Sequence, residues 1–182
     1  SVVSWQMDSG LPQNTVRAIV QTRDGHIWVG TSEGLARFNG TEFTVFNRAN
    51  TPGLPTDPIT ALLEAPDGSL WIAMDGGGVA RLHDGRIKRY SAGNGLLSTR
   101  VFALASGLDG SIWIGTAGGV NRFHNGELTQ FTEAEGLAGN VVRSLRWARA
   151  GELWVGTSRG LSVIKHDAVS NDPAVEKLSS QN

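Results

Sequence analysis

The sequence predicts an all-β fold: a β-propeller built from four four-stranded antiparallel blades. Three observations predict it. Trp28, Trp71, Trp113 and Trp154 recur at steps of 43, 42 and 41 residues. A Gly-Leu pair, at Gly10-Leu11, Gly53-Leu54, Gly95-Leu96 and Gly136-Leu137, keeps the same three steps. Within each unit apolar residues alternate with period two between Gly-containing turns, and no stretch carries a helical stripe. Two independent markers on one rhythm define a repeat of about 42 residues, the length of a propeller blade.

The first unit shows how each strand is specified. "TVRAIVQT" (15–22) puts Val16, Ala18 and Val20 on one strand face and Ile19 on the other. Asp24-Gly25 turns the chain, because that dipeptide suits a tight hairpin. "HIWVGT" makes a second strand, "SEG" a turn, "LARF" a third strand, Asn39-Gly40 a further turn and "TEFTVF" a fourth strand. The blades cover about 10–51, 52–93, 94–134 and 135–166, within one propeller domain over 1–166. Residues 167–182 read as a polar C-terminal tail.

Phe46, Tyr90 and Phe131 end the fourth strands, and counting back from Gly10 in the same way reaches Trp5. "VVSWQ" (2–6) is therefore expected to be a fourth strand that completes the last blade and so removes an open sheet edge. Three arrangements satisfy this: four blades closed within one chain, a homodimer sharing an eight-bladed ring, or a portion of a larger propeller.

Composition limits the chemistry. Forty per cent hydrophobic residues in 182 supply a core, while 16 basic residues balance 17 acidic ones. No basic field points to nucleic acid, and no apolar run reaches the roughly 18 residues of a membrane-inserting helix. Cysteine is absent, so disulfides and thiolate chemistry are excluded. No cofactor is implied, and the four histidines lack metal-ligand spacing, so no metal site is expected.

Gly30-Thr31-Ser32-Glu33-Gly34 and Gly156-Thr157-Ser158-Arg159-Gly160 fit a nucleophile-elbow pattern. That motif needs a strand feeding a helix, whereas here strand joins strand and Ala117 replaces the serine in the third unit. No catalytic residue is nominated. The four repeated tryptophans are expected to anchor blade on blade, and Gly30, Gly115 and Gly156 to allow close backbone approach. Arg37, Arg81 and Arg122, recurring at one strand position, suggest structural pairing.

A binding face is expected where the repeat varies from unit to unit. The loop after Gly-Leu and the turn between the second and third strands should emerge together. They offer Asn14, Glu33, Asp57, Asp75, Arg100, Asn140 and Arg159, a mixed-sign set suited to a small polar or carbohydrate ligand.

The phrase Gly-Leu, strand, Asp-Gly-x-hydrophobic-Trp-hydrophobic-Gly-Thr, then Gly-Leu and an aromatic resembles the two-component-regulator propeller repeat of bacterial sensors. "GLPQNTVRAIVQTRDGHIWVGTSEGLARFNG" (10–40) fits nearly throughout and the third unit almost as well. The second departs at Ala73-Met74 and the fourth at Ala150-Gly151. The resemblance implies a non-enzymatic, ligand-sensing module of a two-component regulator, placed in the periplasm or outside the cell. A self-assembling propeller fragment or engineered scaffold is the alternative. A propeller lyase or hydrolase, as in the streptogramin-lyase family, would need a histidine and acids gathered at the ring entrance.

Overall fold

The structure is a computed structural model that describes residues 1–148 and 151–165, and the backbone of 174–177. Blade one comprises β1 (Val16–Gln21), β2 (Ile27–Thr31), β3 (Gly34–Phe38) and β4 (Phe43–Phe46). Blade two comprises β5 (Ile59–Glu64), β6 (Leu70–Met74), β7 (Gly78–His83) and β8 (Arg86–Tyr90). Blade three comprises β9 (Val101–Ser106), β10 (Ile112–Thr116), β11 (Gly119–His124) and β12 (Glu127–Phe131). Blade four comprises β13 (Val142–Trp147), β14 (Glu152–Thr157), β15 (Gly160–Lys165) and β16 (Ala174–Lys177). Each blade is an antiparallel meander in chain order, as its alternation and turn residues dictate.

Consecutive blades pack through their first strands, β1 on β5, β5 on β9 and β9 on β13. One contact recurs at these joints. At the first and third joints the aliphatic residue opening the next blade's first strand fits against a glycine of the preceding blade's second strand; blade two has Ala73 in that place. Ile59 fills the space a side chain at Gly30 would take, and a Cβ there would lie 2.6 Å from Ile59 Cγ2. Val142 does the same at Gly115, at 2.8 Å. These glycines admit a neighbouring side chain, where close approach of backbone was expected.

The tryptophans follow the same logic. Trp28, Trp71 and Trp113 are buried under the next blade, in clusters with Ile59 and Leu70, with Val101 and Ile112, and with Val142 and Leu153. Trp154 is only half-buried, with no further blade on it among the described residues. At the other end Val16, the counterpart of Ile59, Val101 and Val142, is 40% exposed while those three are fully buried. Among the described residues, β13 and β1 share no packing like that of the other first-strand pairs.

The N-terminal segment corrects one expectation. Residues 2–6 form no strand, and the fourth place in blade four belongs to β16, which pairs antiparallel with β15. A strand later in the same unit reaches that edge, whereas residues 2–6 lie at the far end of the series, on blade one. Trp5 packs there on Phe38, with ring centroids 5.4 Å apart. Tyr90 meets Phe123 of the following blade at 5.1 Å, so Trp5 occupies the place of a preceding blade's terminal aromatic. The expected polar tail therefore contains the strand Ala174–Lys177, and the rest of 167–182, with His166, lies outside the described residues.

The Asp-Gly turn and the recurring arginine form one device. Asp109 Oδ1 accepts hydrogen bonds from Ser111 N (3.0 Å) and Oγ (2.6 Å), and Trp113 Nε1 donates to Ser111 Oγ at 3.0 Å. Arg122, opposite Trp113 on the next strand, donates to Asp109 Oδ2 at 2.6 Å. Blade two repeats this with Asp67, Ser69, Trp71 and Arg81, again with a 2.6 Å Arg–Asp contact. Burial pushes both carboxyls upward, but the serine hydroxyl and N–H and the arginine outweigh it and hold them below the ordinary value.

Candidate functional site

The two variable loops of each blade adjoin, as expected. The turn between the second and third strands donates to a carbonyl just before or at the start of the first strand in all four blades. The bonds are Ser32 N to Thr15 O, Asp75 N to Pro58 O, Ala117 N to Arg100 O and Ser158 N to Val141 O, at 2.9–3.3 Å. The threonine of Gly-Thr closes that turn: Thr31, Thr116 and Thr157 Oγ1 donate to the carbonyls of Gly34, Gly119 and Gly160.

The seven candidate side chains divide into two groups. Asn14, Asp57 and Asn140 stand at one repeat position and brace the loop that precedes Gly-Leu. Asn14 Oδ1 accepts from Met7 N (2.9 Å) and Asn140 Oδ1 from Glu133 N (2.7 Å). Asp57 accepts from Arg48 N at 2.9 Å and pairs with its guanidinium at 3.1 Å. These oxygens are committed to their own loops.

The remaining four are more open. Asp75 Oδ1 lies 3.1 Å from Arg100 Nε, linking the turn of blade two to the start of β9. Arg159 pairs with Glu133 at 3.2 Å, with 69% of its side chain exposed. Glu33 is exposed at its turn.

Two residues outside the expected set join this end. The first strand of every blade bulges after its first residue, at Arg17, Thr60, Phe102 and Arg143, and a bulge re-aims its side chain. Phe102 is half-buried, with the Arg143 guanidinium 4.8 Å from its ring centroid and that of Arg100 at 5.6 Å. Asp75, Arg100, Phe102 and Arg143 thus form one cluster drawn from blades two, three and four. Arg143 reads in sequence as a structural repeat of Arg17. The departure of Phe102 from arginine and threonine at the same bulge was the available signal.

His26, His83 and His124 lie at the opposite end of the blades. His26 and His124 approach Asp24 and Asp109 at 2.9 and 3.7 Å, and His83 approaches Asp84 at 3.6 Å. No group of three metal-ligating side chains occurs among the described residues. The serines of the two G-x-S-x-G stretches sit in strand-to-strand turns.

No curated protein sequence matches the chain. Solved structures share its fold. The extracellular domain of the hybrid two-component system BT3049 from B. thetaiotaomicron aligns with a TM-score of 0.84 at 20% identity, over 98% of this chain and 26% of that one. The extracellular domain of the one-component system BT4673 from B. thetaiotaomicron aligns with 0.70 at 24%, over 85% and 22%. Virginiamycin B lyase from Staphylococcus aureus, solved with quinupristin, aligns with 0.68 at 16%, over 91% and 56%. The chain thus spans about a quarter of the length of those sensor domains. At such identities the likeness shows the arrangement of blades and nothing of ligand or chemistry.

The family pattern matches units one, two and four; unit three, expected to fit nearly as well as the first, is not matched although its strands pair alike. By sequence, the chain carries two-component-regulator propeller repeats, at residues 10–33, 53–76 and 136–159.

Proposed function

We propose that this chain is a non-enzymatic, ligand-sensing propeller module of the extracytoplasmic part of a bacterial two-component regulator. It binds a small polar or carbohydrate ligand at its loop end. The observation that carries the reading is the cluster of Asp75, Arg100, Phe102 and Arg143. An aromatic ring offers a face for the apolar side of a sugar, while two guanidiniums and a carboxylate offer hydrogen bonds around it. The described histidines sit at the other end of the blades from this cluster. The extracellular placement of the matched sensor domains supports a periplasmic or extracellular site of action.

Calorimetric titration with a panel of neutral and acidic oligosaccharides tests this. Saturable binding that weakens at least roughly tenfold in Phe102→Ala and Arg143→Ala is expected. Absence of binding across the panel, or binding indifferent to both substitutions, overturns it.

A second reading, self-association, is favoured by the two end faces. Among the described residues, Trp154 and Gly156 on blade four lack the cover that blades one to three receive, and Val16, Ile19 and Ile27 on blade one are exposed. A second copy would seat Val16 against Gly156, as Ile59 sits against Gly30, and make an eight-bladed ring with two-fold symmetry. Light scattering should then give twice the 19.4 kDa chain mass, lost in Val16→Asp; a monomer at all concentrations rejects the dimer.

A further inference from the structure

We propose that the cleft between blades one and two is a second binding site, for an aromatic carboxylate, anchored by Arg37 and stacked on Trp28. The cleft has a volume of about 780 Å³, within the range of small-ligand pockets. Trp28, Arg37 and Phe46 form one wall, and Leu54, Leu82 and Ile87 the other.

Comparison of the three interblade joints shows what this one lacks. At the second joint Phe123 of blade three packs on Trp71, with centroids 5.0 Å apart. At the third Trp147 of blade four packs on Trp113, at 6.1 Å. At the first joint the equivalent positions in blade two are Leu82 and Glu64, set by the pairings of Leu70 with Leu82 and Glu64. Trp28 therefore receives no aromatic ring from the next blade, and space remains beside it. A ligand ring can take the place that Phe123 and Trp147 take elsewhere.

The charge also differs. Arg81 and Arg122 each hold an aspartate at 2.6 Å, but Arg37, at the same strand position, has no acidic partner among the described residues. It lies over Trp28 and Phe46, 5.7 and 5.8 Å from their centroids. The cause is His26, which stands where blades two and three have Ser69 and Ser111. Asp24 Oδ1 accepts from Thr22 Oγ1 (2.6 Å) and His26 N (3.1 Å), and His26 Nδ1 approaches Oδ2 to 2.9 Å. Both oxygens are thus engaged by Thr22 and His26.

The other acids of the cleft have bases of their own: Glu64 has Arg23 (3.8 Å), Asp67 has Arg81 and Asp84 has His83 (3.6 Å). Arg37 is left as the cation whose planar fork matches a carboxylate. Apolar walls, an unfilled ring position and a free guanidinium together select an arylalkanoate over a sugar or a metal ion.

The experiment uses the full chain with phenylacetate and indole-3-acetate as probes, read by tryptophan fluorescence and calorimetry, with benzyl alcohol as the uncharged control. Saturable millimolar or tighter binding of both acids is expected. Arg37→Gln should weaken it at least tenfold. Leu82→Phe should abolish it while raising the melting temperature, by filling the cleft as Phe123 does. His26→Ser, at a residue that does not itself line the cleft, should also weaken it by releasing Asp24 to Arg37. Phe102→Ala and Arg143→Ala should leave it unchanged, which separates this site from the loop cluster. Failure of either acid to saturate, equal binding of benzyl alcohol, or indifference to Leu82→Phe and Arg37→Gln overturns the proposal.

Discussion

Arg122 and Asp109 meet at 2.6 Å with only 7% of the arginine side chain exposed, whereas the matching Arg81–Asp67 pair, at the same distance, leaves 26% and 49% of its side chains in solvent. One repeated contact thus has two different environments. Removing the arginine at the enclosed pair strands a desolvated carboxylate; at the open pair water takes over. Arg122→Met should cost about 3 kcal/mol and Arg81→Met about 1 kcal/mol or less, compared by urea unfolding midpoints. Equal losses would show that both pairs work at the surface.

The acid limit of stability follows from the same turns. A carboxyl whose pKa is lowered on folding contributes stability above its unfolded value and loses it as pH falls toward the folded one. Hydrogen bonding from Thr22, aided by His26, holds Asp24 down to about 2 against an ordinary 3.8, and Asp67 and Asp109 are also lowered. Melting temperature should therefore fall below pH 3.8 and keep falling toward pH 2. Asp109→Asn should be less stable at neutral pH yet show a shallower acid decline. Asp24→Asn should change the slope less, since Asp24 is largely exposed.

Tryptophan truncation should depend on blade position. Trp113 is fully buried between blades three and four, while Trp154 is half-buried on the final face. Trp113→Ala is expected to cost about 3–5 kcal/mol, and Trp154→Ala roughly half of that or less. Chemical denaturation checks both, and matching losses would mean that the final face is covered in solution.

Glycine substitution probes the blade joints. At Gly115 an added Cβ would press into Val142 Cγ1 at 2.8 Å, inside a packed joint. Gly115→Ala should cost about 1–3 kcal/mol through overpacking. At Gly156 the atom it meets is the Ser144 hydroxyl, which can rotate away, so Gly156→Ala should be within about 1 kcal/mol of neutral. Thermal melts of the two variants make the comparison.

The strands were legible in the sequence because their signals are local. Alternation around Trp28, the Asp24-Gly25 and Asn39-Gly40 turns and the Gly-Thr closure each act within a few residues, and the observed strands follow them closely. The arginine–aspartate pairing was legible as a rhythm for the same reason. The candidate loops were legible only as a region. Asn14, Asp57 and Asn140 differ in no obvious way from Arg100 or Arg159 in sequence, yet their oxygens are taken up by backbone N–H groups seven or nine residues away.

What the residues alone determined is the unit: four strands, a buried tryptophan and a fixed turn, each set by near-neighbour sterics and period-two burial. What the tertiary structure decided is how units meet. The edge of blade four is filled by Ala174–Lys177, which pairs with β15, while residues 2–6 form no strand and Trp5 packs on Phe38 of blade one. That Phe102 meets Arg143, and that Arg37 faces a cleft whose far wall is Leu82 and Ile87, depends on residues some 40 to 50 positions apart in sequence. Such contacts arise only when one blade's face is laid on the next.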